Sequence, residues 1–208
     1  MATSQQMTAA QNTGPASPLV PSVQRLIGLD TVNVHHTRSR CSGNEYTVQA
    51  DGEVLFTLKE DGHALTFLSK AKTRRIRMDG VDNLGRKVLV LRQPTELFAD
   101  DDLMLYMDRK LVSVIHREFT FVKALLLMQD ANGSPVLRAK SDVTRCDFQL
   151  QTLDKREIGK IYKKCSGFLE DIFSNHEYVI SFPMDLDVRF KMAAIATCIL
   201  IEYRYHSG

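Results

Sequence analysis

From about residue 24 onward, short runs of apolar residues alternate with polar ones at the two-residue period of a half-buried strand. Asn, Asp and Gly separate many of the runs and supply the positive φ angles that tight hairpins need. Many short strands at this spacing are typical of an antiparallel sandwich or barrel. The runs are 32–34, 46–49, 54–58, 75–78, 87–91, 111–115, 119–128, 135–138, 146–150, 157–162 and 178–182, and the turn signals are 51–52, 61–62, 82–85, 130–133 and 153–156.

The stretch 192–201 differs from the rest because it is apolar on every side. It is too short to cross a bilayer, which needs about 20 residues, so we expect protein to surround it. A barrel of about a dozen strands has a lumen wider than its own side chains fill, and this helix would plug it. Asp185 and Asp187 stand at its start, where carboxylates cap free N–H groups and suit the positive end of the helix dipole. The predicted lumen-filling residues are Phe190, Met192, Ile195, Ile199 and Leu200.

The sequence thus predicts a mostly β domain over residues 22–208, a closed antiparallel barrel of about twelve strands around a central C-terminal hydrophobic helix. Residues 1–21 contain few large apolar groups and are predicted to be a disordered tail. Pro15, Pro18 and Pro21 have the PxxP spacing of an SH3-type ligand. No Lys or Arg accompanies them in the tail, so an extended linker is the competing interpretation.

The composition, 44% hydrophobic and 25% charged residues among 208, is that of an ordinary globular protein. A formal net charge of +2 argues against a generally basic nucleic-acid-binding surface but leaves room for a local patch. The four cysteines, at 41, 146, 165 and 198, lack the spacing of a zinc site, so free thiols in a reducing compartment are expected. We also expect no secretory signal, myristoyl group or prenyl group.

No catalytic signature is present in the sequence. It has no nucleophile elbow, P-loop or HExxH run. His35 and His36 are adjacent, but neighbours on a strand point to opposite faces and make a poor chelate. Cys165 and His176 are conceivable as a nucleophile and its base, yet nothing orients a third member. The sequence therefore predicts that the protein is not an enzyme.

One stretch, 70–77, carries five positive charges, more than any other segment of this length. Basic clusters beside a membrane attract anionic headgroups by about 1 kcal/mol each before screening. One interpretation is a patch that binds headgroups or phosphoinositides, and the other is a solvated barrel rim partly balanced by the acidic residues 100–102. Nucleic-acid binding is less favoured, because aromatic residues that would stack on bases are missing apart from Phe67. The basic residues are Lys70, Lys72, Arg74, Arg75 and Arg77.

Several runs resemble the phospholipid scramblase family in sequence, order and spacing. They are 77–94, 147–154, 158–161, 166–173 and 182–191, the last reading Phe-Pro-Met-Asp-Leu-Asp-Val-Arg-Phe-Lys. The likeness extends over about residues 24–206 and implies a tubby-like barrel of roughly twelve strands around a hydrophobic helix. It also implies ATP-independent, calcium-triggered movement of phospholipids in both directions between membrane leaflets, at the cytoplasmic face of the plasma membrane.

The resemblance further implies a calcium loop, which this sequence matches only in part. The corresponding segment is 174–185, where Asn175, Glu177 and Asp185 are the candidate oxygen ligands. A calcium loop needs about six to eight oxygens and a Gly at its sharp turn, and this segment contains no Gly. A hairpin arm followed by a capping Asp is therefore the alternative interpretation.

A nuclear-import segment and an acyl anchor are two other features of the family. The first corresponds to 159–167, with Lys160, Lys163 and Lys164, although such lysines also protect strand edges. The palmitoylated cysteine-rich stretches correspond to 68–77 and 95–102, and neither contains Cys. Because stable anchoring usually takes two signals, we expect the acyl anchor to be absent.

Three functions are considered, of which a hydrolase or similar enzyme is the least favoured because no catalytic signature is present. Of the remaining two, one is lipid scrambling, which the family resemblance favours. The other is a tubby-like module that binds anionic lipid without scrambling and acts as a membrane-docked, cytoplasmic or nuclear regulator. The reduced calcium loop and the missing cysteines favour this second function.

Overall fold

Each described strand pairs with its neighbours along the chain, and the last strand pairs with the first, so that the sheet closes into a barrel. The computed structural model describes residues 19–39, 43–61, 75–94, 102–118, 123–164 and 175–206. The elements in chain order are α1 (Pro21–Ile27), β1 (Thr31–Ser39), β2 (Gly43–Ala50), β3 (Glu53–Glu60), β4 (Arg77–Val81), β5 (Lys87–Arg92), β6 (Asp102–Met107), β7 (Lys110–Glu118), β8 (Leu125–Asp130), β9 (Pro135–Ser141), β10 (Asp147–Thr152), β11 (Glu157–Lys163), β12 (Asn175–Ser181) and α2 (Val188–Ile201), which continues as a π-helical turn over Glu202–His206. The predicted closed antiparallel barrel with a C-terminal helix is confirmed.

Alternate residues of each strand point into the barrel, as the two-residue period predicts. In β2, Tyr46 and Val48 are buried while Thr47 between them is partly exposed. The strand β6 was not predicted, because residues 103–107 are apolar without interruption and hide the period. Its hairpin turn also lacks glycine, although Asp108 and Arg109 adopt positive φ angles of 46° and 61°.

Three hairpins, β4–β5, β8–β9 and β10–β11, close with the same turn. In each turn, the N–H of the first residue donates to the carbonyl of the fifth residue. The carbonyl of the first residue accepts from the N–H of the fourth residue. The fourth residue has a positive φ angle, which glycine adopts at little cost in two of the three cases. A register shift precedes each turn and adds local twist. The first residues are Asp82, Asp130 and Thr152, and the fourth are Gly85, Gly133 and Lys155.

The helix α2 fills the lumen. Every residue from Lys191 to Ile201 is buried, and burying a large apolar side chain contributes about 1.5–3 kcal/mol. Asp187 caps the helix, as predicted, by accepting a 2.8 Å hydrogen bond from the N–H of Arg189. Asp185 is exposed in the preceding turn. Of the helices in the described ranges, none combines the length and the apolar character that crossing a bilayer requires.

A short helix that was not predicted, α1, precedes the first strand. Pro21 is its first residue, a position where the missing N–H of proline costs nothing. Val23 and Leu26 are buried in the core. Pro21 is therefore helical rather than in polyproline II conformation, while Pro15 and Pro18 lie outside the described residues. The SH3-type partner and the disordered tail over 1–21 stay predictions.

The barrel has two unlike ends. At one, which we call the turn end, the chain passes between paired strands through 51–52, 82–86, 108–109, 130–134 and 152–156, and from β12 into α2. At the other, which we call the loop end, lie the last residues of β1 and the first of β2. Because α2 begins directly after β12, it enters at the turn end, and its π-helical turn reaches the loop end. These two positions define where the buried charges of the helix lie.

Candidate functional site

A buried carboxylate lies at the loop end of the lumen. Glu202, which is 0% exposed, follows the last residue of α2. Its Oε2 accepts hydrogen bonds from the Tyr178 hydroxyl at 2.6 Å and from His176 Nδ1 at 2.9 Å. His36 Nδ1 lies 3.1 Å from its other oxygen, Oε1. Two strands and the end of the helix thus supply one buried polar cluster.

The register of the barrel explains how these side chains meet. His36 on β1 lies directly opposite His176 on β12, and these are the two strands that close the sheet. His36 also stacks on the ring of Tyr46, with centroids 4.6 Å apart. Its Nε2 is 3.0 Å from the amide oxygen of Asn44 on β2. The cluster therefore depends on barrel closure and forms only when both ends of the sheet are in place.

The field of Glu202 changes the acidity of its neighbours. Burial alone would raise the pKa of Glu202, but the contacts with His176 and His36 and the Tyr178 hydrogen bond hold it well below its usual range. Burial, and then the charge of Glu202, raise the pKa of Tyr178 and of the Cys198 thiol. The carboxylate is ionised and both neighbours are protonated at neutral pH. The negative charge is thus fixed at this end of α2.

A buried cation lies at the opposite end of the same helix. Lys191, 0% exposed, donates from Nζ to the carbonyl oxygens of Leu26 at 3.2 Å, Ile27 at 2.7 Å, Leu29 at 2.6 Å and Met184 at 2.7 Å. Three of these carbonyls belong to the last turn of α1 and the residues just after it, where a helix leaves carbonyls short of donors; that of Leu26 also accepts from the N–H of Leu29 at 3.2 Å. Burial lowers the pKa of Lys191, and the nearby carboxylates of Asp185 and Asp30 oppose this.

The predicted lumen-filling residues are largely buried. Met192, Ile195, Ile199 and Leu200 are each at most 1% exposed. Phe190, in the first turn of α2, is only partly buried and packs against the edge of the core. The helix is therefore enclosed along its length except at its entry.

The predicted basic patch lies mostly outside the described residues, which include neither Lys70, Lys72 nor Arg74. Arg75 is partly buried. Arg77 is exposed at the start of β4, opposite Arg92 of β5 at the loop end. This pairing keeps two positive charges together on the outer wall.

The predicted nuclear-import lysines lie along β11 and just beyond it. The Nζ of Lys160 lies 4.6 Å from the centre of the Tyr162 ring. Lys163 is partly buried, and Lys164 pairs with Glu177 of β12. Their nuclear-import role stays a prediction.

The predicted calcium ligands do not come together in the described part of the chain. Glu177 faces Lys164 and His35 on the outer wall of β12, whereas Asp185 lies beyond the other end of that strand. Residues 177 to 181 of a strand span about 13 Å, which exceeds the reach of one ion. Asn175 is the first residue of β12. The two carboxylates therefore belong to different places on the barrel.

Sequence reasoning missed His36, Lys191 and Glu202 as members of buried clusters. His35 and His36 do point to opposite faces, as expected, so the useful partner of His36 is His176 across the strand pair. Pairing the first strand with the last would have revealed this contact. Lys191 and Glu202 were visible as charges at the two ends of an apolar helix. A charged residue in that position needs a buried partner.

The closed barrel filled by one apolar helix is a tubby-like fold. It is similar to a protein of Arabidopsis thaliana solved by X-ray crystallography, with a TM-score of 0.51, 13% identity, and coverage of 83% of this chain and 91% of that chain. A likeness at this identity concerns the fold alone. The family model described as Scramblase matches residues 39–208. The chain belongs to the scramblase family.

Relatives with this family name are similar to the chain over most of its length. Phospholipid scramblase 1 of Mus musculus is 26% identical over 216 residues, covering 92% of this chain and 66% of the relative. Phospholipid scramblase family member 5 of Homo sapiens is 24% identical, covering 92% and 79%. Phospholipid scramblase 2 of Bos taurus is 24% identical, covering 92% and 74%. The chain thus spans about two thirds to four fifths of the length of these relatives.

Proposed function

We propose that this protein moves phospholipids between membrane leaflets in both directions without ATP, and that it works from the cytoplasmic surface of the plasma membrane. The observation that carries the proposal is the scramblase family match, which runs through the barrel and the helix. No covalent bond is made or broken in this activity, so the protein is not an enzyme. The helix α2 stays in the barrel during the activity, because Lys191 and Glu202 hold it at both ends.

The turn end is the surface that meets the lipid in this proposal. Large apolar side chains protrude from its turns, among them Leu84 at 71%, Met184 at 61% and Leu153 at 48% exposure. Exposed apolar groups on separate turns are suited to insertion between headgroups. At the loop end, Val143 is the one comparably exposed apolar residue in the described ranges.

Basic side chains accompany two of these apolar tips. Arg86 and Lys87 follow Leu84, and Lys155 and Arg156 follow Leu153 in their turns, all of them exposed. Positive charge beside an inserted apolar group favours an anionic leaflet, and it loses strength as salt is added. This pairing supports a phospholipid surface, rather than an apolar protein groove, as the ligand of the turn end.

A second candidate function is docking on anionic lipid without scrambling, in a cytoplasmic or nuclear regulator. The observation that favours it is the burial of α2 from Lys191 to Ile201, since a filled barrel offers a lipid headgroup no route through its centre. Scrambling by this protein then has to occur along the outer wall or by disturbing the bilayer next to the turn end. The two candidates differ in a single measurable property, the movement of lipid.

Lipid movement is tested with vesicles that contain phosphatidylserine and a fluorescent phospholipid in both leaflets. Purified protein is added, with and without calcium, and dithionite then bleaches the accessible label. If dithionite bleaches well over half of the label, label from the inner leaflet has moved to the outer leaflet, which supports scrambling. Binding to vesicles with bleaching that stops at half supports the docking module. A protein that neither binds nor bleaches contradicts both candidates.

The docking surface is tested by co-sedimentation with the same vesicles. The triple variant Leu84→Ser/Leu153→Ser/Met184→Ser is expected to lose at least about tenfold in binding, because each buried apolar side chain contributes more than 1 kcal/mol. Val143→Ser is the matched control at the loop end and is expected to bind as the wild type does. If Val143→Ser loses binding and the triple variant keeps it, the docking surface is at the loop end instead.

The basic run and the calcium trigger are tested in the same assay. Lys72→Glu/Arg74→Glu/Arg75→Glu reverses three charges of the basic run and is expected to weaken binding less than the turn-end variant does. Calcium is expected to change binding little, because Glu177 and Asp185 lie far apart. A strong calcium effect would instead support the predicted loop 174–185 as a sensor.

A further inference from the structure

The cluster around Glu202 has the geometry of a ligand set as well as that of an ion pair. One atom each from His36, His176 and Glu202 lies within 4.8 Å of the others. The side chains are 2%, 10% and 0% exposed. This is the one group of three or more His, Cys, Asp or Glu side chains with such spacing in the part of the chain that the structure describes. A buried group of this kind requires a positive charge opposite the carboxylate.

The protonation of His36 follows from its neighbours. The amide nitrogen of Asn44 donates to Glu60 Oε2 at 3.0 Å, so the amide oxygen of Asn44 faces His36. His36 Nε2 must then carry a hydrogen, which it donates to that oxygen at 3.0 Å. In a neutral ring, Nδ1 therefore presents a lone pair towards the cluster. Glu60 and Asn44 thus fix which nitrogen of His36 is available.

The contact between His36 and Glu202 is close without being a hydrogen bond. Nδ1 lies 3.1 Å from Oε1, but the angle misses hydrogen-bond geometry and Nδ1 has no other hydrogen-bond partner. A proton on Nδ1 would therefore point past the carboxylate oxygen. Ligands of one metal ion also lie close together without hydrogen bonding to each other, because their lone pairs converge on the ion between them.

We propose that His36 Nδ1, His176 Nδ1 and the Glu202 carboxylate bind one divalent transition metal ion of the zinc type. The ion takes the place of the proton that His176 Nδ1 otherwise donates to Glu202, and that proton is released to solvent. Two imidazoles and one carboxylate are a donor set that such ions take, with a fourth position left for water or another group. The Nε2–H of His36 bonded to Asn44 is the outer contact that orients a ligating histidine. Calcium does not fit, since it requires about six to eight oxygen ligands.

The position of the site gives the ion a structural effect. His36 belongs to β1, His176 to β12 and Glu202 to the end of α2, so one ion joins the two closing strands to the central helix. The carboxyl end of α2 also carries the negative end of its dipole, which adds to the attraction for a cation. An ion that binds the folded chain but not the unfolded chain raises the melting temperature.

The test uses the full chain, treated with a chelator and then dialysed. Zinc is titrated by calorimetry, cobalt is added as a spectroscopic probe, and melting is followed by circular dichroism. We expect one zinc per chain, cobalt absorption bands of a nitrogen- and oxygen-ligated ion, and a melting temperature raised by about 5–10 °C at a zinc concentration about 100-fold above Kd. His36→Gln and His176→Gln are expected to lose these effects. His35→Gln, a neighbouring histidine on the outer wall, is the matched control and is expected to keep them.

The cobalt spectrum of the wild-type chain keeps the proposal testable if a variant fails to fold. Absence of stoichiometric zinc and of cobalt bands in the folded wild type overturns the metal site. Equal zinc effects in His36→Gln, His176→Gln and the wild type overturn the assignment of the ligands. Neither outcome depends on lipid binding or scrambling, which are measured with vesicles.

Discussion

The two ends of α2 bury opposite charges and stabilise them by different means. Lys191 at the turn end is surrounded by main-chain carbonyls from α1 and from the turn before α2. Glu202 at the loop end is surrounded by side chains from β1 and β12. The dipole of α2 disfavours both charges, because cations suit the carboxyl end of a helix and anions suit the amino end. Lys191 lies at the amino end and Glu202 at the carboxyl end. Their partners therefore have to supply all of the compensation.

The partners of Lys191 and those of Glu202 differ in how easily a substitution can remove them. Backbone carbonyls cannot be removed by substitution, so the lysine position depends on Lys191 alone. The glutamate position depends on three side chains, each of which evolution or an experimenter can change. The turn end is thus expected to be a fixed structural contact, and the loop end an adjustable one. The following changes test this comparison, from the largest effect to the smallest.

Replacing Lys191 is expected to destabilise the fold most. Lys191→Met keeps the apolar stem but removes the ammonium donor that four carbonyls share, of which that of Leu26 also accepts from the N–H of Leu29. Removal of one partner from a buried charged contact costs about 3–5 kcal/mol. Urea denaturation measures the free energy of unfolding. Arg189→Met, an exposed ion pair with Asp187, is the control and is expected to cost less than about 1 kcal/mol. Equal losses in the two variants would contradict the structural role of Lys191.

Replacing Glu202 is expected to cost less than replacing Lys191. Glu202→Gln keeps the shape and leaves one acceptor oxygen, so the loss is that of charged hydrogen bonds, about 1.5–3 kcal/mol. Chelator-treated protein is used in urea denaturation. Glu177→Gln, whose carboxylate pairs with Lys164 on the outer wall, is the control and is expected to lose less than about 1 kcal/mol. A loss for Glu202→Gln above that for Lys191→Met would reverse the comparison.

The cap of α2 is expected to give a small, pH-dependent effect. The hydrogen bonds from the Arg189 side chain hold the pKa of Asp187 below its usual range, although burial opposes them. This stabilisation is fully present above the unfolded-state pKa of about 3.9 and is lost as pH falls below it. Asp187→Asn is expected to lose less than about 1 kcal/mol at neutral pH because the pair is exposed to solvent. Its unfolding free energy should also fall less steeply than that of the wild type below about pH 4; an unchanged slope would argue against the Arg189 contact.

The middle of α2 is expected to tolerate substitution best. Thr197 is buried, and its hydroxyl donates to the carbonyl of Ala193 one turn earlier, within the helix itself. Thr197→Val removes that hydroxyl without leaving a buried group unbonded, since the carbonyl keeps its helical partner. A change of about 0.5 kcal/mol or less is expected from thermal unfolding. A larger loss would show that polar groups matter along the whole helix and not only at its ends.

The pattern of apolar residues was enough to predict the barrel and the enclosed helix. Both follow from the two-residue period of the strands and from the absence of a polar face in 192–201. The strand β6 was missed because its apolar run has no visible period. The helix α1 was missed because seven residues give too little pattern, and its stability comes from packing and from the bonds of Lys191.

The buried clusters were beyond prediction for a physical reason. His36 and His176 meet only because β1 pairs with β12, and sequence spacing does not report which strands close a barrel. Lys191 binds the carbonyl of Leu26, which lies 165 residues away in the chain. A main-chain acceptor has no side-chain signature at all. Only the charge itself, at the end of an apolar helix, was visible beforehand.

Closure of the sheet by β1 and β12, with the core supplied by α2, also orders events during synthesis. A ribosome releases the strands before the helix that fills them, so the emerging sheet has neither its last partner strand nor its interior. Contacts between segments this distant in the chain are slow to form. The nascent chain therefore carries an open sheet edge and an unfilled apolar face until translation has passed α2, which is the period in which a chaperone is needed most.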